Sequence, residues 1–177
     1  FGGQFDVRIR RERPGPADKW HLDEGVISIK GKKHGLWRAV DANGDVLDIL
    51  VQSRRNTSAT KRFFRKLFRR WGQPRVLVTD KLGSHAAAKP EFAPGIVHHQ
   101  HKRLNNRAAA SHRHTRRRER VMGRFKSPGK AQRFLSAHDQ IATLIRPKRH
   151  SLAARSYHHA RSDAFSLWTD YTVDLAA

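Results

Sequence analysis

At 177 residues the chain fits one domain with an extension, and its 37% hydrophobic content sustains a core only if several elements are amphipathic. Lys and Arg number 37 against 15 Asp and Glu, a net charge of +22 that makes a polyanion the expected partner, nucleic acid first. The absence of cysteine excludes disulfides and thiolate metal sites. No apolar run approaches the ~18 residues of a membrane span, no signal-peptide core is present, and a cytoplasmic location is expected.

In chain order, residues 1–19 read as a basic, irregular linker, with Arg8, Arg10, Arg11 and Arg13 running into Pro14-Gly15-Pro16. The chain opens on Phe1 rather than Met, so a preceding module is expected. Three strands follow. Trp20–Ile29 is the first, 35–41 the second and 46–51 the third; Asn43-Gly44 between the last two is a hairpin turn signal. Their short connections predict an antiparallel meander. A helix follows, capped by Asn56 or Ser58: Phe63, Phe64, Leu67, Phe68 and Trp71 form its apolar face, and Lys61, Arg62, Arg65, Lys66, Arg69 and Arg70 the other. Gly72 and Pro74 end it. The apolar run 75–80 is of buried parallel-strand type and closes on Asp80. A short helix at about 83–88 and a fifth strand at 95–98 come next.

From His101 the chain turns intensely basic, with twelve Lys and Arg and one acid, Glu119, over residues 101–135. Residues 108–125 have helix-forming composition. Ser127-Pro128 starts an amphipathic helix with Ser as cap and Pro in the first turn, which Pro147 stops, and a last helix is expected around 152–168. The histidines at 98, 99, 101, 112 and 114 have no spacing suited to tetrahedral zinc.

The stretch Trp20-His21-Leu22-Asp23-Glu24 sets the question of function. An acidic pair inside a strand-forming run is costly to bury unless paired or metal-bound. Strand alternation sends Asp23 and Glu24 to opposite faces, so only one of them can serve a given site. Glu24 and Arg38 read as a surface or cross-strand pair.

The order of three antiparallel strands, helix, strand, helix, strand and helices resembles the ribonuclease-H-like fold: α/β, a mixed sheet flanked by helices, with further helices at the C-terminus. W-H-L-D-E, L-W-R-A-V-D-A-N-G, S-R-R-N, R-F-F-R-K-L, P-R-V-L-V-T-D-K, H-K-R-L-N-N-R and R-R-R-E-R-V-M-G-R-F-K-S occur in that order over nearly the whole chain. Together they resemble the insertion-sequence-six family of bacterial transposases. The resemblance implies a DDE catalytic domain over residues 20–147, preceded by the linker 1–19 from a missing helix-turn-helix module and followed by a helical extension, 148–177. It implies that Asp23 and Asp80 are the first two acids of a triad that binds two Mg²⁺ ions about 3.5–4 Å apart and drives phosphodiester cleavage and strand transfer.

The family's third acid follows paired asparagines as N-N-x-x-E. Here Asn105-Asn106-Arg107-Ala108 leads to Ala109, which offers no metal donor. Glu119 stands ten residues on, about 15 Å along a helix, too far to replace it. The expected enzyme is therefore an impaired transposase; the alternative is a catalytically dead DNA-binding remnant. Lys81, Lys102, Arg103, Arg113, Arg116, Arg117, Arg118, Arg120 and Arg124 are the expected phosphate contacts. The resemblance further implies double-stranded DNA as partner, a homodimer on it, and a bacterial, nucleoid-associated location.

Overall fold

The computed structural model describes residues 2–53, 57–79, 95–100, 117, 119–121, 123–145 and 152–174. The chain divides into two compact units, residues 14–135 and residues 1–13 with 136–177.

The larger unit is built on a five-stranded mixed sheet. Strands β1 (Lys19–Ile29), β2 (Lys32–Asp41), β3 (Val46–Gln52), β4 (Val76–Thr79) and β5 (Val97–Gln100) lie in the order β3-β2-β1-β4-β5. The first three form the expected antiparallel meander, while β4 and β5 run parallel to β1. This is the mixed sheet of the ribonuclease-H-like expectation.

Both meander turns follow from local chemistry. Lys30 and Gly31 both have positive φ, 50° and 76°, and the pair Ile29–Lys32 closes a two-residue turn whose twist matches the strands it joins. At the second turn only Gly44, at φ 85°, is left-handed. Asn43 does not share the positive φ its sequence signal suggested, because Asp41 organises the loop instead. The Asp41 carboxylate accepts hydrogen bonds from the backbone N–H of Asn43 and Asp45, each at 2.9 Å, and of Ala17 at 3.1 Å.

The sheet has two differently packed faces. Helix α2 (Thr57–Trp71) covers one, laying Ala59, Phe63, Phe64 and Leu67 on Trp20, Leu22, Trp37, Ala39, Leu47 and Leu77. At roughly 2 kcal/mol per buried large apolar side chain, the three largest α2 contributors supply about 6 kcal/mol of hydrophobic stabilisation. Lys66 of α2 reaches the buried Asp48 of β3 at 2.8 Å. The other face carries Ile27, Ile29, Leu36, Val40, Ile49 and Val51, packed by Phe125 and by Ala131 and Leu135 of helix α3 (Pro128–Ile145). Ser127 caps α3 as its sequence predicts, its Oγ accepting from the Lys130 N–H at 3.2 Å. Gln132 binds edge strand β3 twice: its Oε1 accepts from the Val51 N–H at 2.7 Å and its Nε2 donates to the Ile49 carbonyl at 2.9 Å.

The smaller unit contains helix α1 (Gly2–Glu12), the remainder of α3 and helix α4 (Ala154–Asp174). Residues 2–12 are thus helical where an irregular linker was expected. Gly2-Gly3 and the prolines beyond Arg13 masked a pattern that tertiary packing completes. Ile9 and Tyr171 are buried together against Ile141, Leu144 and Trp168. The Tyr171 hydroxyl donates to Glu12 at 2.6 Å, Arg8 donates to the same carboxylate at 3.0 Å, and the Arg8 guanidinium lies 4.6 Å above the Tyr171 ring. Burial, then the Glu12 carboxylate, pushes the Tyr171 hydroxyl up to about 12. Glu12 is held below the usual carboxylate range, chiefly by the hydrogen bond from Tyr171.

Candidate active site and nucleic-acid interface

Asp23 lies in the middle of β1, half-buried. It alternates with Leu22, which belongs to the α2-covered face, and shares the opposite face with Ile27 and Ile29. The sequence argument that Asp23 and Glu24 part company therefore holds: Asp23 is paired with Arg38, and Glu24 with Trp37 on the α2 side.

That register corrects one expectation. Arg38 is opposite Asp23, not Glu24, and it is 1% exposed rather than a surface residue. Opposed residues on one face hold their Cβ atoms about 4.5–5.5 Å apart, which puts a buried guanidinium within side-chain reach of the candidate carboxylate. A signal for this was present. The two-residue turn at Lys30-Gly31 makes paired positions sum to 61, and 23 and 38 satisfy that sum. His21, two residues before Asp23, is buried on the same face.

The parallel pairing of β1 and β4 runs Trp20–Leu77, His21–Val78 and Leu22–Thr79. Thr79 is fully buried, and its Oγ1 meets His98 Nε2 of β5 at 2.9 Å. Asp80, Lys81, Lys102, Arg103, Ala109, Arg113, Arg116 and Arg118 lie outside the described residues, as do His101, His112, His114 and the helix expected at 83–88.

Three of the predicted phosphate contacts are described. Arg117 and Arg120 are exposed, with helical backbone, and Arg124 is exposed just beyond. Arg120, Arg124 and Glu119 line an open cleft of about 360 Å³ with Val26, Ile27 and Ser28 of β1. Ile27 is four residues from Asp23, about 13 Å along the strand. The cleft thus stands on the same strand as Asp23, and Glu119 stands in the cleft rather than beside Asp23. Arg124 has φ 70°, a left-handed backbone that costs a non-glycine residue about 1 kcal/mol. Its N–H closes the preceding helical turn on the Glu119 carbonyl at 3.0 Å. With Gly123, also left-handed at φ 70°, this closes the helix end in the manner of a C-terminal cap.

A family model described as a DDE domain matches residues 17–148, three-quarters of the chain. This chain belongs to the DDE-domain transposase family. The transposase of the insertion sequence-like element IS431mec of Staphylococcus aureus is 32% identical over 139 residues, 76% of this chain. The transposase of IS257 in transposon Tn4003, also from Staphylococcus aureus, matches to the same extent. The DDE chain spans 61% of the length of these curated relatives. Among solved structures, the HTLV-2 integrase catalytic core domain in complex with magnesium aligns at a TM-score of 0.53 with 15% identity, covering 81% of this chain and 93% of that one. Its dimeric form aligns at 0.50, covering 76% and 91%. The likeness establishes the fold: a ribonuclease-H-like core. Among the described residues no helix is long and apolar enough to cross a membrane, and no group of three or more His, Asp or Glu could hold a metal ion.

Proposed function

We propose that the chain is the catalytic core of a DNA transposase, residues 20–147, in which Asp23 and Asp80 are metal-binding carboxylates and the third position, Ala109, is empty of a donor. One observation carries the reading. On the α3 side of the sheet stands a half-buried Asp23, and the last described pair between β1 and β4 is Leu22–Thr79, whose successors in the chain are Asp23 and Asp80. Hard carboxylate oxygens suit Mg²⁺, so the acids present fit the ion, while Ala109 leaves the set one ligand short. When bound, Mg²⁺ supplies Lewis-acid activation of the attacking and leaving oxygens of a phosphodiester.

The chain's own residues do the rest. Arg38, opposite Asp23, limits the rotamers open to that carboxylate. Arg120 and Arg124 hold backbone phosphates about 13 Å along the strand from Asp23, with Arg117 adding charge at the rim. Lys81, Lys102, Arg103, Arg113, Arg116 and Arg118 extend this contact in the same reading. Two chains, one at each element end, would assemble on double-stranded DNA, which locates the protein on the bacterial nucleoid.

Ala109 favours a second reading for present-day activity, a DNA-binding remnant. Nicking of element-end DNA with Mg²⁺ separates the two. Ala109→Glu is expected to raise the rate at least about a hundredfold, the worth of several kcal/mol of charge stabilisation, and Asp23→Asn in that background to abolish the gain. Equal rates with and without the glutamate would end the impairment argument. An active Asp23→Asn variant would remove Asp23 from the site.

A further inference from the structure

The net charge of +22 is unevenly distributed among the helices. Helix α4, 21 residues long, carries Arg155 and Arg161 against Asp163, Asp170 and Asp174, a net of 2 − 3 = −1. Helix α3 has Lys130 and Arg133 against Asp139, a net of 2 − 1 = +1. Helix α2 has six cations and no acid in 15 residues, a net of +6. At about 100° per residue its cations, Lys61 to Arg70, occupy one half of the helix circumference, and the other half is the apolar face buried on the sheet. Arg62, Arg65, Lys66, Arg69 and Arg70 are exposed. Lys66 is neutralised by Asp48 at 2.8 Å; the five remaining like charges within about 13.5 Å repel one another, and an anionic surface laid along the helix lowers that repulsion.

The position of α2 gives the charge its meaning. It covers the sheet face opposite to that of Asp23 and Ile27. A helix about 10 Å across, packed about 10 Å from the sheet, presents its outer side about 15 Å away, on the opposite side of the sheet from Asp23. One straight duplex cannot lie on both surfaces. Duplex DNA carries one charge per about 1.7 Å of axis, so the α2 ridge spans about eight phosphate charges. We infer that the outer face of α2 is a second DNA-contact surface, which holds a separate duplex segment while the Asp23 side holds the reacting one. The inference rests on the DNA reading above for the identity of the polyanion.

The test is two-duplex capture by the 177-residue chain: one duplex immobilised, a second carrying a fluorophore. In the variant Arg62→Gln, Arg65→Gln, Arg69→Gln, Lys66 is left on Asp48 and Arg70 on Trp71, and an unchanged circular-dichroism melt verifies folding. Capture of the second duplex is expected to fall at least tenfold, with its log–log salt slope shallower by about 2.7, three contacts at about 0.9 each. The same three positions changed to Lys should retain capture, since charge and not shape is read. Wild-type capture by the Gln variant overturns the inference. A parallel variant, Arg117→Gln with Arg120→Gln, separates the two readings. If it weakens binding of the immobilised duplex while the α2 variant changes nothing, only the α2 surface is refuted; if neither variant alters DNA binding, the DNA reading falls as well. Capture of phosphatidylserine vesicles in place of the second duplex, lost in the same α2 variant, would overturn DNA as the occupant.

Discussion

The two faces of β1 use the same backbone for different ends. On one, Trp20 and Leu22 lie under α2 in a dry, aromatic-rich core. On the other, His21 and Arg38 are buried beside a half-buried Asp23. The contrast extends to the acids themselves. Asp41, opposite Trp20, is fully buried and satisfied by three backbone N–H groups, a structural carboxylate. Asp23 retains solvent access on a face that also carries a guanidinium. The first face is an apolar core throughout, whereas the second combines an apolar cluster with these polar groups, where the proposed function places its chemistry.

Three substitutions would break or sharpen this contrast. Leu67→Ala, in the α2 layer, should destabilise the sheet-bearing unit by about 3 kcal/mol, through lost transfer energy and a cavity, read as a shift in the urea midpoint. Asp41→Ala should cost about 2 kcal/mol in the same measurement, because it leaves loop N–H groups without their charged acceptor. Asp23→Asn should stay within about 0.5 kcal/mol of the parent or become more stable, even though it is expected to abolish the nicking gained by Ala109→Glu. A large loss of stability from Asp23→Asn would make Asp23 a structural acid like Asp41 and erase the distinction between the faces.

Much of the fold was legible because periodicity and packing agree. The meander, the Phe-rich face of α2 and the Ser127 cap of α3 each follow from local pattern, and each is found within a few residues of its expected place. Helix α1 was not legible: its stabilising partners, Tyr171 and Trp168, lie more than 150 residues away in the chain, so no local window contains the reason for it. The second turn was identified by Asn43-Gly44, but its geometry is set by Asp41, whose reach to Ala17 crosses 24 residues. At the site, Asp23 stood out as an acid in a strand, whereas Arg38 was misread because charge suggested exposure. Counting register from the Lys30-Gly31 turn would have placed it. The expectation that Asp80 joins Asp23, and that Ala109 stands where a third acid belongs, rests on the ordered motifs and not on any local physical signal.

Gln132 has a consequence for how the sheet ends. A primary amide that both accepts from Val51 and donates to Ile49 behaves like one residue of a neighbouring strand. It occupies the outward hydrogen-bonding groups at the point where another chain would otherwise zip on. An assembly of these chains built by continuing the β-ladder past β3 would first have to displace a side chain rooted in α3, so intermolecular strand addition at this border meets an occupied seat.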